Sequence, residues 1–147
     1  MFATHAVEVE VDIESREFHV LKLVCAHDVW TAVSPLELEG QIQGGSLQGP
    51  GYGTMEEISC REGQVENPDF AGYVMPTALD TPEDIRVEVV ETYEPSGPYG
   101  AKGVAEPALN PTAPAISNAI FHAVGAYLTE LPITPEKILA ALDRDED

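Results

Sequence analysis

The carboxylate of Glu106 is the side chain in this sequence best placed to do chemistry. It lies in a Gly- and Ala-rich segment, residues 100–118, just before a predicted helix. Asn110 is a suitable N-cap for that helix, and Pro111 suits its first position. A carboxylate on a loop of small residues at the start of a helix can be held close to a substrate with little steric obstruction. Most Glu-Pro pairs in loops are solvated and structural, however, so this motif alone does not assign a catalyst.

A second unusual segment, residues 36–57, is predicted to be largely helical although it contains six glycines. Each glycine costs a helix about 1 kcal/mol relative to alanine. The pattern is reasonable if another backbone or a flat cofactor must approach one face closely. Pro50 is predicted to kink or divide the helix. Gln41, beside Gly40, carries an amide with both donors and an acceptor, but alone it would be an ordinary surface residue.

These segments together resemble a known family. The segment around Glu106 is similar to the Gly-x-Glu-Pro loop near the end of the molybdopterin-binding subunit of the xanthine dehydrogenase/aldehyde oxidase family. Residues 39–49 resemble that family's Gly-Gln-x-x-Gly segment, and residues 73–80 are also similar. Order and separation agree across nearly all 147 residues, which correspond to the C-terminal part of a much longer subunit. The sequence departs from the pattern at Ser34, Pro50 and Ala105.

The resemblance implies that Glu106 is the general base and that Gln41 and Gly40 contact the cofactor. It implies hydroxylation of an N-heterocycle or an aldehyde with oxygen derived from water. The cofactor would be molybdopterin-bound molybdenum, in a form the sequence does not specify, shared with a partner chain, and no residue here is expected to ligate a metal. Expected partners are the remaining molybdopterin-subunit chain, an iron–sulfur subunit with 2Fe–2S clusters, an FAD subunit and a small-molecule substrate.

In the family, most segments that bind the cofactor lie N-terminal to the part that this sequence resembles. We therefore expect the chain to be inactive alone. The alternative is a non-catalytic assembly or interaction module derived from the same family. A third interpretation, a small acidic α+β binding domain unrelated to molybdenum enzymes, requires the matched segments to coincide by chance.

Composition narrows the classes of partner. The chain has 26 acidic against 7 basic residues and a formal net charge of −19. No basic stripe is available to neutralise phosphates, so we expect no nucleic-acid binding and no binding to anionic membranes. The acidity fits either a salt-rich host or a partner with a basic face. We expect one domain over residues 1–147, a cytoplasmic location, and reduced thiols at Cys25 and Cys60.

The remaining patterns predict an α+β fold. Alternation predicts a strand over residues 7–13, and residues 17–26 return as a strand that is apolar on both faces. Residues 85–93 alternate as a third strand. A long amphipathic helix is predicted from Pro111 to about residue 130, and a short last helix after Thr134. The fold is therefore a small mixed or antiparallel sheet with a glycine-rich helix and a long C-terminal helix, followed by an acidic tail at residues 143–147.

Three further residues could take part in chemistry near the sheet. His27 beside Asp28 could form an acid–base pair, although a structural hydrogen bond at a strand end is more usual. Lys102 could steer an anionic substrate, although a solvated lysine is more usual. Trp30, expected to be exposed, indicates an altered contact relative to the family.

Overall fold

The computed structural model describes residues 1–144 and shows an α+β fold, as predicted. Short 3-10 turns occur at Pro98–Gly100 and Glu106–Ala108. The strands and helices, in chain order, are β1 (Ala3–Val11), β2 (Phe18–Asp28), α1 (Pro35–Thr54), β3 (Cys60–Arg61), β4 (Gln64–Val65), β5 (Asp84–Val90), α2 (Thr112–Val124) and α3 (Pro135–Arg144).

The main sheet has three strands in the order β1-β2-β5. β1 and β2 form the predicted antiparallel hairpin, whose turn is held by Asp12 Oδ1 accepting the backbone N–H groups of Glu14 and Ser15. β5 pairs with β2 in parallel, so the sheet is mixed. β3 and β4, each two residues long, pair antiparallel as a separate small hairpin.

Within this chain the helices cover one face of the sheet. Side chains on a strand alternate between its two faces. Leu23 and Cys25 are fully buried beneath α1 together with Ile42, whereas Val24 and Ala26, on the opposite face of β2, are only half-buried. The predicted two-faced apolar strand is thus present, and within the described chain its second face is only partly covered.

The glycines of α1 serve in part to let α2 and the Glu106–Ala108 turn approach closely. A Cβ atom added at Gly45 would lie 2.7 Å from the Ala108 Cβ, and one added at Gly49 would lie 2.3 Å from the Thr112 Cβ. These glycines are four residues apart and form one ridge of the helix. The close approach predicted from the glycine content is therefore made along that ridge by Ala108 and Thr112 of this same chain.

Several predicted boundaries require correction. Pro50 does not divide α1, which continues to Thr54. Asn110 is not the N-cap of α2: Pro111 occupies that position in a helical conformation, and the helix begins at Thr112. α2 does not reach residue 130, because Gly125 adopts φ 82° and ends it at Val124. A left-handed glycine of this kind is a common helix C-terminus.

The remaining predictions concern the last helix, the thiols and the tail. α3 begins after Thr134 as expected, with the Thr134 hydroxyl accepting the Lys137 N–H at 3.4 Å. Cys25 is buried and free, and Cys60 is exposed and free. Among the helices of the described residues, none is long and apolar enough to cross a membrane. Part of the predicted acidic tail, residues 145–147, lies outside the described residues.

Candidate functional site

Glu106 begins a single 3-10 turn that leaves its side chain exposed. Its backbone carbonyl accepts the N–H groups of Leu109 at 2.9 Å and Asn110 at 3.2 Å, which closes the turn. The preceding residue, Ala105, has φ −144° and ψ −100°, outside the regular helical and extended regions. Within residues 1–144 the Glu106 carboxylate forms no hydrogen bond or ion pair, so its oxygens are available to an incoming group.

The Glu106 turn is seated on α1 through Ala108. Ala108 is fully buried against Gly45, and the buried Ser46 hydroxyl donates to the Ala108 carbonyl at 3.3 Å. A side chain at Gly45 would meet the Ala108 Cβ at 2.7 Å and push the turn away. The glycine at this position therefore fixes how closely the catalytic candidate approaches the helix.

Gln41 and Gly40 lie near the start of α1 and are both exposed. Gln41 is four residues before Gly45 and therefore one helical turn from the residue that touches Ala108. A Cβ atom added at Gly40 or at Gly44 would meet nothing within 4 Å. The structure thus brings the two predicted site segments to adjacent parts of one surface, and space remains open above the N-terminal half of α1.

A shallow cleft of about 200 Å³ lies between the start of α1 and the segment that leads to Glu106. Its walls come from the end of β2, the loop before α1, the first turn of α1 and the strand-like residues before Val104. The lining residues are Val29, Thr31, Ala32, Val33, Ser34, Glu37, Leu38, Ala101, Lys102 and Val104.

The proposed steering role of Lys102 is not supported by its position. Lys102 is neither solvated nor free: its ammonium group forms an ion pair with Asp28, and the two side chains are 9% and 13% exposed. The ammonium nitrogen also lies 3.7 Å from the centre of the Trp30 ring, which is itself only partly exposed. Hydrogen bonding to Lys102 lowers the pKa of Asp28. Lys102 is therefore a structural cation.

His27 and Asp28 do not form the acid–base pair considered from the sequence, because neighbouring strand residues point to opposite faces. His27 is fully buried, and its Nε2 lies 2.8 Å from Nε2 of His5. His5 Nδ1 lies 2.9 Å from the hydroxyl of the buried Thr112. Burial, reinforced by the charge that His27 could carry, lowers the pKa of His5 to about 4, and burial also lowers that of His27.

Sequence reasoning missed these supporting residues. His5 and Thr112 are separated by 107 positions, and Ser46 and the Ala108 carbonyl by 62. No local pattern links such distant partners. The only available signal was the glycine content of α1, which indicated close packing but did not identify the partner.

Comparison with known proteins identifies the family to which this chain belongs. The molybdopterin cofactor-binding domain family matches residues 1–82. The xanthine dehydrogenase molybdenum-binding subunit of Escherichia coli O157:H7 is 36% identical over 139 residues, 93% of this chain and 18% of that subunit. The aldehyde oxidoreductase molybdenum-binding subunit PaoC of Escherichia coli K12 is 34% identical over 143 residues, 96% of this chain and 20% of PaoC.

A solved structure shows the same arrangement. Quinoline 2-oxidoreductase from Pseudomonas putida 86 superimposes with a TM-score of 0.86 and 33% identity, over 95% of this chain and 18% of that one. The chain belongs to the molybdopterin cofactor-binding domain family, as a segment of the molybdenum subunits of xanthine dehydrogenases and aldehyde oxidoreductases. It spans about a fifth of the length of these relatives.

Proposed function

We propose that this chain completes the active site of a molybdenum hydroxylase that acts on an N-heterocycle or an aldehyde with oxygen derived from water. Glu106 is the general base, and Gln41 and Gly40 contact the cofactor. The observation that carries the proposal is the seating of the Glu106 turn on α1 through Ala108 and Gly45. This contact brings the two segments to one surface and leaves the Glu106 carboxylate exposed and, within the described chain, unpaired.

The residues present fit one side of the molybdenum cofactor. Gly40 and Gly44 offer a surface on which a Cβ atom would meet nothing, and a flat group can approach such a surface closely. The Gln41 amide can donate and accept, as a pterin edge requires. These residues lie on one surface and do not enclose a ligand, so the other walls must come from the rest of the enzyme.

The cofactor, when bound, would supply the redox chemistry of hydroxylation. The role of this chain is to accept a proton and to hold the accepting carboxylate in place. A carboxylate oxygen of Glu106 accepts the proton released as the water-derived oxygen is transferred, and it must lie within hydrogen-bond reach of that proton. The anchored turn limits the conformations available to Glu106, which favours a productive geometry.

The chain alone is proposed to be inactive, since it spans about a fifth of its relatives. The relatives named above are themselves subunits, and we propose that this chain likewise works with the remaining molybdopterin-subunit chain and with subunits that carry 2Fe–2S clusters and FAD. The dinucleotide form of the cofactor and the choice between heterocycle and aldehyde depend on residues of those partners.

The test is Glu106→Gln in the purified molybdenum enzyme, with Glu14→Gln in the exposed β1–β2 turn as the matched control. We expect Glu106→Gln to lower kcat by about 100-fold or more while molybdenum content stays unchanged, because the amide cannot accept the proton. Glu14→Gln should leave kcat unchanged. If Glu106→Gln retains full turnover, the catalytic assignment is wrong and the chain is better described as an assembly module.

A further inference from the structure

The ion pair between Asp28 and Lys102 is the least solvent-exposed ion pair in the described residues. The Asp28 carboxylate also accepts the Thr92 hydroxyl at 2.8 Å, and the Lys102 ammonium lies over the Trp30 ring. Desolvation cancels much of the attraction in such a pair, so its contribution to stability is small compared with apolar packing. Its geometry, by contrast, is strongly specified by three separate contacts.

The pair lies at the start of the segment that carries Glu106. Backbone hydrogen bonds join residues 100–102 to residues 29–31: Thr31 N–H donates to the Gly100 carbonyl at 2.9 Å, and Lys102 N–H donates to the Val29 carbonyl at 3.1 Å. Lys102 is four residues before Glu106. The segment is therefore tied to the end of β2 and the residues after it by both its backbone and the Lys102 side chain.

Two further anchors follow along the chain. Val104 packs against the buried cluster of Leu23, Cys25 and Ile42. Ala108 is buried against α1. Glu106 is an exposed residue between these anchors, and the direction of its side chain depends on where they hold the chain.

We propose that the Asp28–Lys102 ion pair is a positioning element for the Glu106 carboxylate, an inference that rests on the proposed function. The pair is neutral as a unit, so its effect on Glu106 comes from placement rather than from charge. When the pair is removed, the segment keeps its backbone bonds and Val104 but loses the side-chain contact that fixes its start. Small displacements of a catalytic group can lower the rate by about 100-fold.

The test compares four variants of the intact molybdenum enzyme. Lys102→Met leaves a buried unpaired carboxylate and endangers folding, so the decisive variant is Asp28→Asn with Lys102→Met, which removes both charges together. Lys102→Arg keeps an ion pair with Asp28. Lys137→Met is the matched control, because Lys137 also donates hydrogen bonds, to the Leu131 and Pro132 carbonyls, but lies on α3.

We expect the double variant to lower kcat by about 10- to 100-fold with molybdenum content and KM little changed. Lys102→Arg, which keeps the ion pair, should retain most of the normal kcat, and Lys137→Met should leave kcat unchanged. The same double variant is then made in the Glu106→Gln background, where the slow residual reduction of the cofactor by substrate is measured. It should have no further effect there, because the group that it positions is already disabled.

Three results would overturn the inference. The first is an unchanged kcat in the double variant. The second is an equal loss in the Glu106 and Glu106→Gln backgrounds, which would indicate a general structural role. The third is loss of molybdenum in step with activity, which would indicate a role in assembly. If Glu106→Gln alone keeps the full rate, the proposed function is refuted, and the positioning role with it. If Glu106→Gln is slow but the Asp28→Asn, Lys102→Met double variant has a normal rate, only the positioning role is refuted.

Discussion

Replacing Gly49 by alanine tests the packing on which the site is built. A Cβ atom at Gly49 would lie 2.3 Å from Cβ, 2.6 Å from Oγ1 and 2.8 Å from Cγ2 of Thr112. Carbon atoms in contact prefer about 3.5–4.0 Å. The Thr112 side chain cannot simply rotate away, because its hydroxyl is 2.9 Å from His5 Nδ1. α1 and α2 must therefore separate by about 1 Å or more.

Two effects of opposite sign determine how much Gly49→Ala changes the free energy of unfolding. Overpacking of this kind costs about 1–3 kcal/mol and occasionally more. Alanine recovers about 1 kcal/mol of helix propensity relative to glycine. The contact at 2.3 Å is severe, so we expect the upper part of the range to apply and a net loss of about 2 kcal/mol. For a chain of this length that corresponds to a fall in Tm of about 6 °C.

Gly40→Ala is the matched control, since the same substitution in the same helix meets nothing within 4 Å. Gly40→Ala should gain only the higher helix propensity of alanine, which adds about 1 kcal/mol to the free energy of unfolding and raises Tm by about 3 °C. Thermal unfolding followed by circular dichroism measures both variants. If Gly49→Ala were as stabilising as Gly40→Ala, the close helix contact described here would be incorrect.

Three further predictions concern the cofactor face, pH and salt. Gly44→Ala should stabilise the chain itself yet lower molybdenum content in the assembled enzyme if a flat group approaches this face; unchanged molybdenum loading and turnover would argue against that approach. Because the pKa of His5 falls from 6.5 to about 4 on folding, the unfolded state binds more protons between these values. Protonation of His5 should therefore lower the free energy of unfolding as pH drops through this window, and a His5→Gln variant whose free energy of unfolding kept the same pH dependence in urea titrations would contradict the assignment. With a net charge of −19, raising NaCl from about 0.1 to 1 M shortens the Debye length from about 10 to 3 Å, so Tm should rise by several degrees; a fall would mean that surface ion pairs outweigh self-repulsion.

Local signals in the sequence predicted most of the elements. Alternation located β1 and β2, and a hairpin requires only neighbouring residues to pair. The long glycine-rich helix was also predicted, although Pro50 does not divide it, which was one of the two effects expected of this proline. The predicted end of α2 is wrong because apolar spacing continues past Gly125, whereas the left-handed conformation of that glycine ends the helix.

The arrangement of the site could be predicted only in part. Resemblance predicts Glu106, Gln41 and Gly40 as site residues, whereas the seating of the Glu106 turn depends on contacts between residues far apart in sequence. Lys102 illustrates how local sequence and tertiary structure can differ. An isolated lysine in a loop is usually solvated, but here Asp28 and Trp30 enclose it. Such pairings follow from the tertiary fold, which local patterns do not encode.

The most direct measurement is a structure of the intact molybdenum enzyme that contains this chain. The account predicts the Glu106 carboxylate within hydrogen-bond reach of the cofactor's reacting oxygen, about 2.6–3.2 Å or through one water, with Gln41 and Gly40 against the pterin. A carboxylate turned towards bulk solvent, far from the cofactor, would contradict it.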